Sequence, residues 1–264
     1  MEVKLNRRTF ITTASASGLV LMLESCTPKF ILKDVEKHLA ELYEQELEYR
    51  DQMIQKVIDA TPKLKVIVEH NLISATEERR TGYGVHYNGY ILTVRHLTHL
   101  SDVVNAGLFG VIEVKPEVLE KQKSTAYIQG KELELVVTDK EKDMTIYKVP
   151  KGLDLPDYPS ELGDNSKMKL GQEIYLVGNP DLEGWNIRKA EISKLDAQDY
   201  DGPDFGLNKY SFGFSLPIIP GDSGTPIVDA KSFNLLGISR YRRWEGGPGF
   251  ATKIDNYKPF MKGG

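Results

Sequence analysis

The chain has 264 residues, enough for one large or two small domains with a substantial core. Apolar residues make up 40% and charged residues 27%, which describes a soluble globular protein. A net charge of −4 supplies no basic face for nucleic acid, so no such partner is expected, and the single cysteine, Cys26, excludes an intrachain disulfide.

Residues 1–26 read as an export signal. The cationic segment NRRTFI (6–11) precedes a modest apolar run, Ala14 to Leu23, too short to span a bilayer as a mature helix. Arg7 and Arg8 followed by Phe10 resemble a twin-arginine signal, an address read by a receptor. LESC resembles a bacterial lipoprotein cleavage box, with Cys26 as the acylated residue and Glu24 in place of the usual small or apolar one. The expected location is the periplasm or cell envelope, with membrane attachment through acylated Cys26.

The segment 27–62 is predicted to be helical. Residues 33–60 contain no Gly or Pro, and Val35, Leu39, Leu42, Tyr49, Met53 and Val57 recur at three- to four-residue spacing, with a gap at Glu46. Pro62 closes the helix. Its apolar stripe is expected to pack on the rest of the chain or on a partner copy, which would make a homo-oligomer. A regulatory arm or membrane spacer is the alternative.

From Leu64 the pattern changes to short β-branched and aromatic runs broken by Gly, Asn, Asp and Pro. Candidate strands are 64–69, 84–94, 109–114, 132–138, 144–149, 172–177, 187–195, 209–215, 225–229, 234–241 and 249–253. Many short strands at modest spacing argue for an all-β sandwich or barrel. A polar stretch at 150–171, bearing Pro and Gly, separates two strand groups, and a short helix is expected at 254–262.

Three places in this pattern carry chemistry. GYILTVRH ends a strand-like run at His96. DKEKDMTIYKV sets Asp143 directly before the apolar alternation Met144, Ile146, Val149. GDSGTP (221–226) offers Ser223 between glycines, which permit the tight turn that exposes a serine and aims amide N–H groups at an oxyanion. His99 competes with His96 but lies beyond the strand end, and Asp139 competes with Asp143. His38, His70 and His86 belong to no metal-like cluster, so neither metal nor organic cofactor is expected.

The order His96, Asp143, Ser223 resembles the chymotrypsin/trypsin clan of serine proteases, most closely its bacterial HtrA-like branch; α/β-hydrolases and subtilisins run in other orders. GQEIYLVGNP (171–180), LLGIS (235–239) and GFATKID (249–255) extend the resemblance over roughly residues 64–260. The resemblance implies a protease domain at 63–262, built of two six-stranded antiparallel barrels (63–150 and 171–253) joined by a linker at 151–170. It implies no room for a PDZ domain after the expected C-terminal helix. Ser223 becomes the nucleophile, His96 the general base and acid, Asp143 its orienting partner, and the N–H groups of Gly221 and Ser223 the oxyanion hole. Asp222 has no cleaved Ile-Val-Gly-Gly terminus to pair with, so its partner is open.

The same resemblance places Pro217, Ile218, Ser239, Arg240, Tyr241 and Gly249 around the substrate pocket. Pro217 stands where trypsins carry an acid, which argues for aliphatic substrate residues; Arg240, Arg242 and Arg243 suggest an acidic one instead. The expected activity is hydrolysis of exposed or unfolded polypeptide. A latent or non-catalytic binding protein, with Arg95 or the N-terminal helix blocking the cleft, is the alternative, and an esterase on the same fold a third reading.

Overall fold

The computed structural model describes residues 29–72, 75–99, 103–105, 111–113, 122–197, 209–240 and 247–261. The expected export signal, Cys26, Tyr241, Arg242 and Arg243 lie outside these residues. The chain divides into two units, Met1–Met53 and Ile54–Gly264.

Helix α1 (Lys29–Asp59) accounts for everything described in the first unit and ends in the second. Good helix formers and i,i+4 side-chain pairs support it, among them Gln52 Nε2 donating to Glu48 Oε1 at 3.2 Å. It stops where Thr61 Oγ1 donates to the Val57 carbonyl at 2.6 Å and Pro62 withholds an N–H. Leu42, Tyr43 and Tyr49 on it are exposed. No helix among the described residues is long and apolar enough to cross a membrane.

The second unit opens with β1 (Lys63–Leu72), β2 (Ala75–Tyr83), β3 (Val85–Tyr87) and β4 (Tyr90–Thr93), then a single helical turn, α2 (Arg95–Thr98). There follow β5 (Val103–Asn105), β6 (Val111–Glu113), β7 (Lys123–Ile128), β8 (Lys131–Glu132), β9 (Glu134–Asp139) and β10 (Met144–Lys148). In β1, Leu64, Val66 and Val68 are buried while Lys63, Lys65 and Glu69 are exposed, the period-two signature of a strand with one wet face. Among the described residues this half forms two four-stranded sheets, ordered β2-β1-β7-β8 and β3-β4-β10-β9, with β5–β6 as a separate pair, in place of the expected closed barrel of six. The run 84–94, expected as one strand, is a hairpin. Asn88 and Gly89 both take positive φ, 48° and 77°, and reverse the chain between β3 and β4.

The later half closes as a six-stranded barrel. Its strands are β11 (Glu173–Gly178), β12 (Asn186–Lys194), β13 (Ser211–Phe214), β14 (Pro226–Asp229), β15 (Leu235–Arg240) and β16 (Gly249–Lys253), joined in the order β11-β12-β13-β16-β15-β14. Ile174, Leu176, Ile192, Phe212, Phe214 and Ile227 fill it, each side chain supplying roughly 1.5–3 kcal/mol of hydrophobic stabilisation. Where a C-terminal helix was expected, the chain makes two 3-10 turns, Ile254–Asn256 and Lys258–Phe260. Pro259 lacks the N–H an α-helix would need there.

Buried tyrosines tie the halves together. Tyr257 Oη donates to the Thr93 carbonyl at 2.9 Å, and Tyr158 Oη, on the connection between halves, to the Phe233 carbonyl at 2.7 Å. At the centre of this seam the Tyr83 amide donates to the Ser223 carbonyl at 3.0 Å.

Candidate active site

Three segments bring His96, Asp143 and Ser223 together. His96 sits in α2, just after β4 with its buried Thr93 and the buried Val94 that caps the helical turn. Asp143 closes a turn from β9 into β10. Asp139 Oδ1 accepts the Lys142 amide at 3.0 Å, and Asp143 itself takes the left-handed φ of 49°, a conformation that aspartate tolerates better than most residues. Asp139 is thereby occupied as a turn cap and as the partner of Lys142 Nζ at 2.9 Å. Ser223 sits on the turn into β14, where Gly221 and Gly224 have φ of 99° and 85°. A Cβ on Gly221 would lie 2.5 Å from the Asn179 carbonyl oxygen, and one on Gly224 would overlap the Tyr83 carbonyl oxygen. Only glycine fits either place.

The distances are those of a hydrogen-bonded relay. His96 Nε2 lies 3.1 Å from Ser223 Oγ, and His96 Nδ1 lies 2.9 Å from Asp143 Oδ2. The other carboxylate oxygen, Oδ1, accepts the His96 backbone N–H at 2.8 Å. Burial acts to raise the Asp143 carboxyl, but the charges of His96 and Arg240 and the two bonds from His96 outweigh it and hold the group well below the usual carboxylate range. A carboxylate ionised at neutral pH fixes a proton on Nδ1 and leaves Nε2 to accept one from the serine hydroxyl. His99, the competing imidazole, faces elsewhere, with Nδ1 2.8 Å from Thr98 Oγ1.

The turn 217–225 is heavily cross-linked. The Asp222 amide donates to the Ile219 carbonyl at 3.0 Å, and Thr225 Oγ1 to the Asp222 carbonyl at 2.7 Å. Ser239 Oγ donates to that same carbonyl. The amides of Gly221 and Ser223 take no backbone acceptor among the described residues, whereas their neighbours Asp222, Gly224 and Thr225 all do. Two unspent N–H groups beside a serine can receive the negative oxygen of a tetrahedral intermediate.

The partner of Asp222, open in the sequence, is Arg188 on β12. Its Nη2 donates to Asp222 Oδ2, which also accepts the Ile219 amide at 2.9 Å. Complete burial pushes the Asp222 carboxyl up from the ordinary aspartate value, and the Ile219 amide and Arg188 guanidinium pull it back. The signal was present in the alternation of β12: Arg188 shares a face with buried Ala190 and Ile192, an inward-facing cation that needs a buried anion.

The residues expected around a substrate pocket are spent differently. Ile218 is 6% exposed and packs in the barrel core with Phe214, and Gly249 lies so close to the Phe214 ring that any side chain would overlap it. Ser239 braces the Asp222 carbonyl, and the Pro217 carbonyl accepts from Arg188 Nη1 at 3.3 Å. Arg240 is buried, with Nε donating to Asp143 Oδ2 at 2.8 Å, so its charge is not presented to an acidic substrate residue. Arg80 escaped the sequence reading. Its Nη1 donates to the carbonyls of His96 and His99 at 2.6 and 2.7 Å, while Glu78 grips its other nitrogens at 2.8 Å.

Among curated proteins, a serine protease described as HtrA-like, from Staphylococcus epidermidis, is 31% identical over 128 residues, covering 45% of this chain and 21% of its own length. A probable periplasmic serine endoprotease described as DegP-like, from Pseudomonas putida, is 27% identical over 179 residues, covering 66% of this chain and 32% of its own. The chain thus spans no more than a third of the length of either relative. Among solved structures, the HtrA-type protease AlgW with a tripeptide superposes over 80% of this chain and 62% of that one, with a TM-score of 0.53 and 23% identity, a likeness of fold. The model of the trypsin-like peptidase domain matches residues 80–238, more than half of the sequence and all three segments of the site, and the chain belongs to that family.

Proposed function

We propose that this protein is an exported serine endopeptidase that cleaves polypeptide through an acyl-enzyme. The observation that carries the reading is His96, whose two ring nitrogens lie 2.9 Å from an ionised carboxylate and 3.1 Å from the Ser223 hydroxyl. As Ser223 Oγ attacks the scissile carbonyl carbon, its proton passes to His96 Nε2, and Asp143 stabilises the imidazolium that results. The carbonyl oxygen, now negative, takes the N–H groups of Gly221 and Ser223. Collapse breaks the C–N bond, His96 gives its proton to the departing amine, and an ester to Ser223 remains. Water then adds to that ester by the same steps, regenerating the hydroxyl.

Export is supported by the cationic and apolar character of residues 1–26, and attachment to a membrane by Cys26 in its lipoprotein-like box. The buried position of Arg240 removes the main argument for an acidic substrate residue. Pro217, in place of an acid, supports an uncharged one.

Labelling with a fluorophosphonate tests the reading, with Ser223→Ala and His96→Ala alongside. Covalent labelling of the wild type, abolished in both variants, is expected together with cleavage of an unfolded protein substrate. Equal labelling of wild type and Ser223→Ala, or ester turnover without peptide cleavage, would overturn it.

A further inference from the structure

Every residue of β15 is buried, and its last, Arg240, is a permanent cation only 7% exposed. Such a charge persists in a fold only when paired. Arg240 Nε donates to Asp143 Oδ2 at 2.8 Å, and its Nη1 donates to Ser211 Oγ, on β13 beyond the intervening β16, at 2.6 Å. Asp143 Oδ2 is therefore shared between Arg240 and His96 Nδ1, while Oδ1 is held by the His96 amide. Rotation of the carboxylate away from the imidazole would break all three contacts.

We infer that Arg240 is a positioning residue of the hydrolytic site: a fixed guanidinium, braced by Ser211, that locks the Asp143 carboxylate against His96 and takes up part of the negative charge it offers the imidazole. The relay then has four members, Arg240, Asp143, His96 and Ser223. This rests on the serine-protease reading for its catalytic consequence, but the ordering of Asp143 can be measured without turnover. A guanidinium on the far side of a carboxylate makes the paired imidazole a weaker acceptor of protons, because the two cations compete for one anion.

The charged and titratable groups around His96 come from several elements. Asp143 and Arg240 approach from the turn into β10 and the end of β15, and Arg80 from β2. Arg95 and His99 belong to its own turn. Tyr257, from the C-terminal turns, lies beside Asp143 and is held neutral far above its ordinary value by burial and by that charge. Of these, Arg240 contacts Asp143 by its side chain and carries a positive charge at every working pH.

The test compares the full chain with Arg240→Gln, Arg240→Lys and Ser211→Ala, each checked for a cooperative thermal transition. Two quantities are followed against pH: kcat/KM on a peptide substrate, and the low-field proton resonance of His96 Nδ1–H. For Arg240→Gln, kcat is expected to fall tenfold or more with KM little changed, and both pH transitions to move upward, since a competing cation is lost. Arg240→Lys restores the position of the transitions and only part of kcat, since an ammonium keeps the charge without the fork. Ser211→Ala lowers kcat by a few-fold without moving them. A folded Arg240→Gln protein with wild-type kcat, transitions and low-field resonance would overturn the inference. If Arg240→Gln does not fold, wild-type kcat in both Arg240→Lys and Ser211→Ala overturns it instead. A wild type that neither hydrolyses peptide nor labels would sink the protease reading alone. The low-field resonance would still decide the role of Arg240, since an unchanged transition in Arg240→Gln speaks against it and a raised one for it.

Discussion

Arg188 and Asp222 form an ion pair one residue before Ser223, with the carboxylate wholly excluded from solvent. The pair is built into the barrel, not laid upon it. Gly178 on β11 faces it, and a Cβ there would overlap Asp222 Oδ1. Arg188 also holds the Pro217 carbonyl, so one side chain stitches both ends of the loop 217–222 that presents the amides of Gly221 and Ser223. The chain thus carries its own cation for Asp222 where a trypsin uses a newly cut terminus.

Arg188→Ala is expected to strand a buried carboxylate, at about 3–5 kcal/mol of stability, and to loosen the turn enough to lower kcat by roughly a hundredfold. Arg188→Met combined with Asp222→Asn should recover most of the stability without recovering kcat, because an uncharged pair removes the desolvation cost but not the need for a fixed loop. Urea melts and kcat/KM on one peptide check both. Full activity in folded Arg188→Ala would show that the loop holds its shape unaided.

Gly221→Ala tests the turn directly. Its φ of 99° is one that alanine rarely takes, and the added methyl would press on the Asn179 carbonyl oxygen from 2.5 Å. The peptide is expected to rotate, withdrawing one amide from the oxyanion position, at a cost of about 3–4 kcal/mol in transition-state stabilisation. Fluorophosphonate labelling should slow by a comparable factor while the thermal midpoint moves by only a few degrees. Labelling at the wild-type rate would remove Gly221 from the oxyanion hole.

The parts of this molecule set by local pattern were legible in the sequence. Alternation in β1, the glycines flanking Ser223 and the order of His96, Asp143 and Ser223 sufficed for an all-β fold and a relay. What escaped depends on which face a residue takes in a closed sheet. Ser239 and Arg240 follow one another on β15, and sequence alone does not say that one braces the Asp222 carbonyl and the other reaches Asp143, since both answers depend on pairing with β14 and β16. Asn88 and Gly89 offered a turn signal inside 84–94, but the run of Tyr90, Ile91 and Leu92 after it masked the break. A closed barrel in the first half is not seen among the described residues, and closure is a long-range property that strand count does not fix.

Arg80 and Glu78 supply a second brace. A guanidinium bonded to the carbonyls of both His96 and His99 closes the C-terminal side of a helical turn only four residues long, too short to hold its own geometry. Arg80→Met should release both carbonyls and displace the imidazole, lowering kcat/KM by roughly 10–100-fold, since misplacement of about an ångström is costly at a reacting centre. Glu78→Gln leaves the arginine in place and should cost several-fold less. Equal loss in the two variants would mean that the charge of the pair matters more than its bonds to the turn.

His99 gives the fold a pH dependence of its own. Burial first, then the charges of Arg95 and Arg80, push its imidazole down to about 4. In the unfolded chain the same ring takes its proton near pH 6.5. Between those values the unfolded state binds a proton that the folded state refuses, so the contribution is fully present above about pH 6.5 and is lost as pH falls toward 4. The interval corresponds to about 2–3 kcal/mol after allowance for the ring's partial exposure. Asp143, held low by its partners, adds its loss only below the ordinary aspartate range, so the two windows separate. Urea unfolding of the full chain at pH 7.5, 6.5, 5.5 and 4.5 should show stability declining across the last three, and His99→Asn should flatten that decline. If the variant declines as steeply as the wild type, the proton is being taken up elsewhere and His99 is not the group that gives the fold this pH dependence.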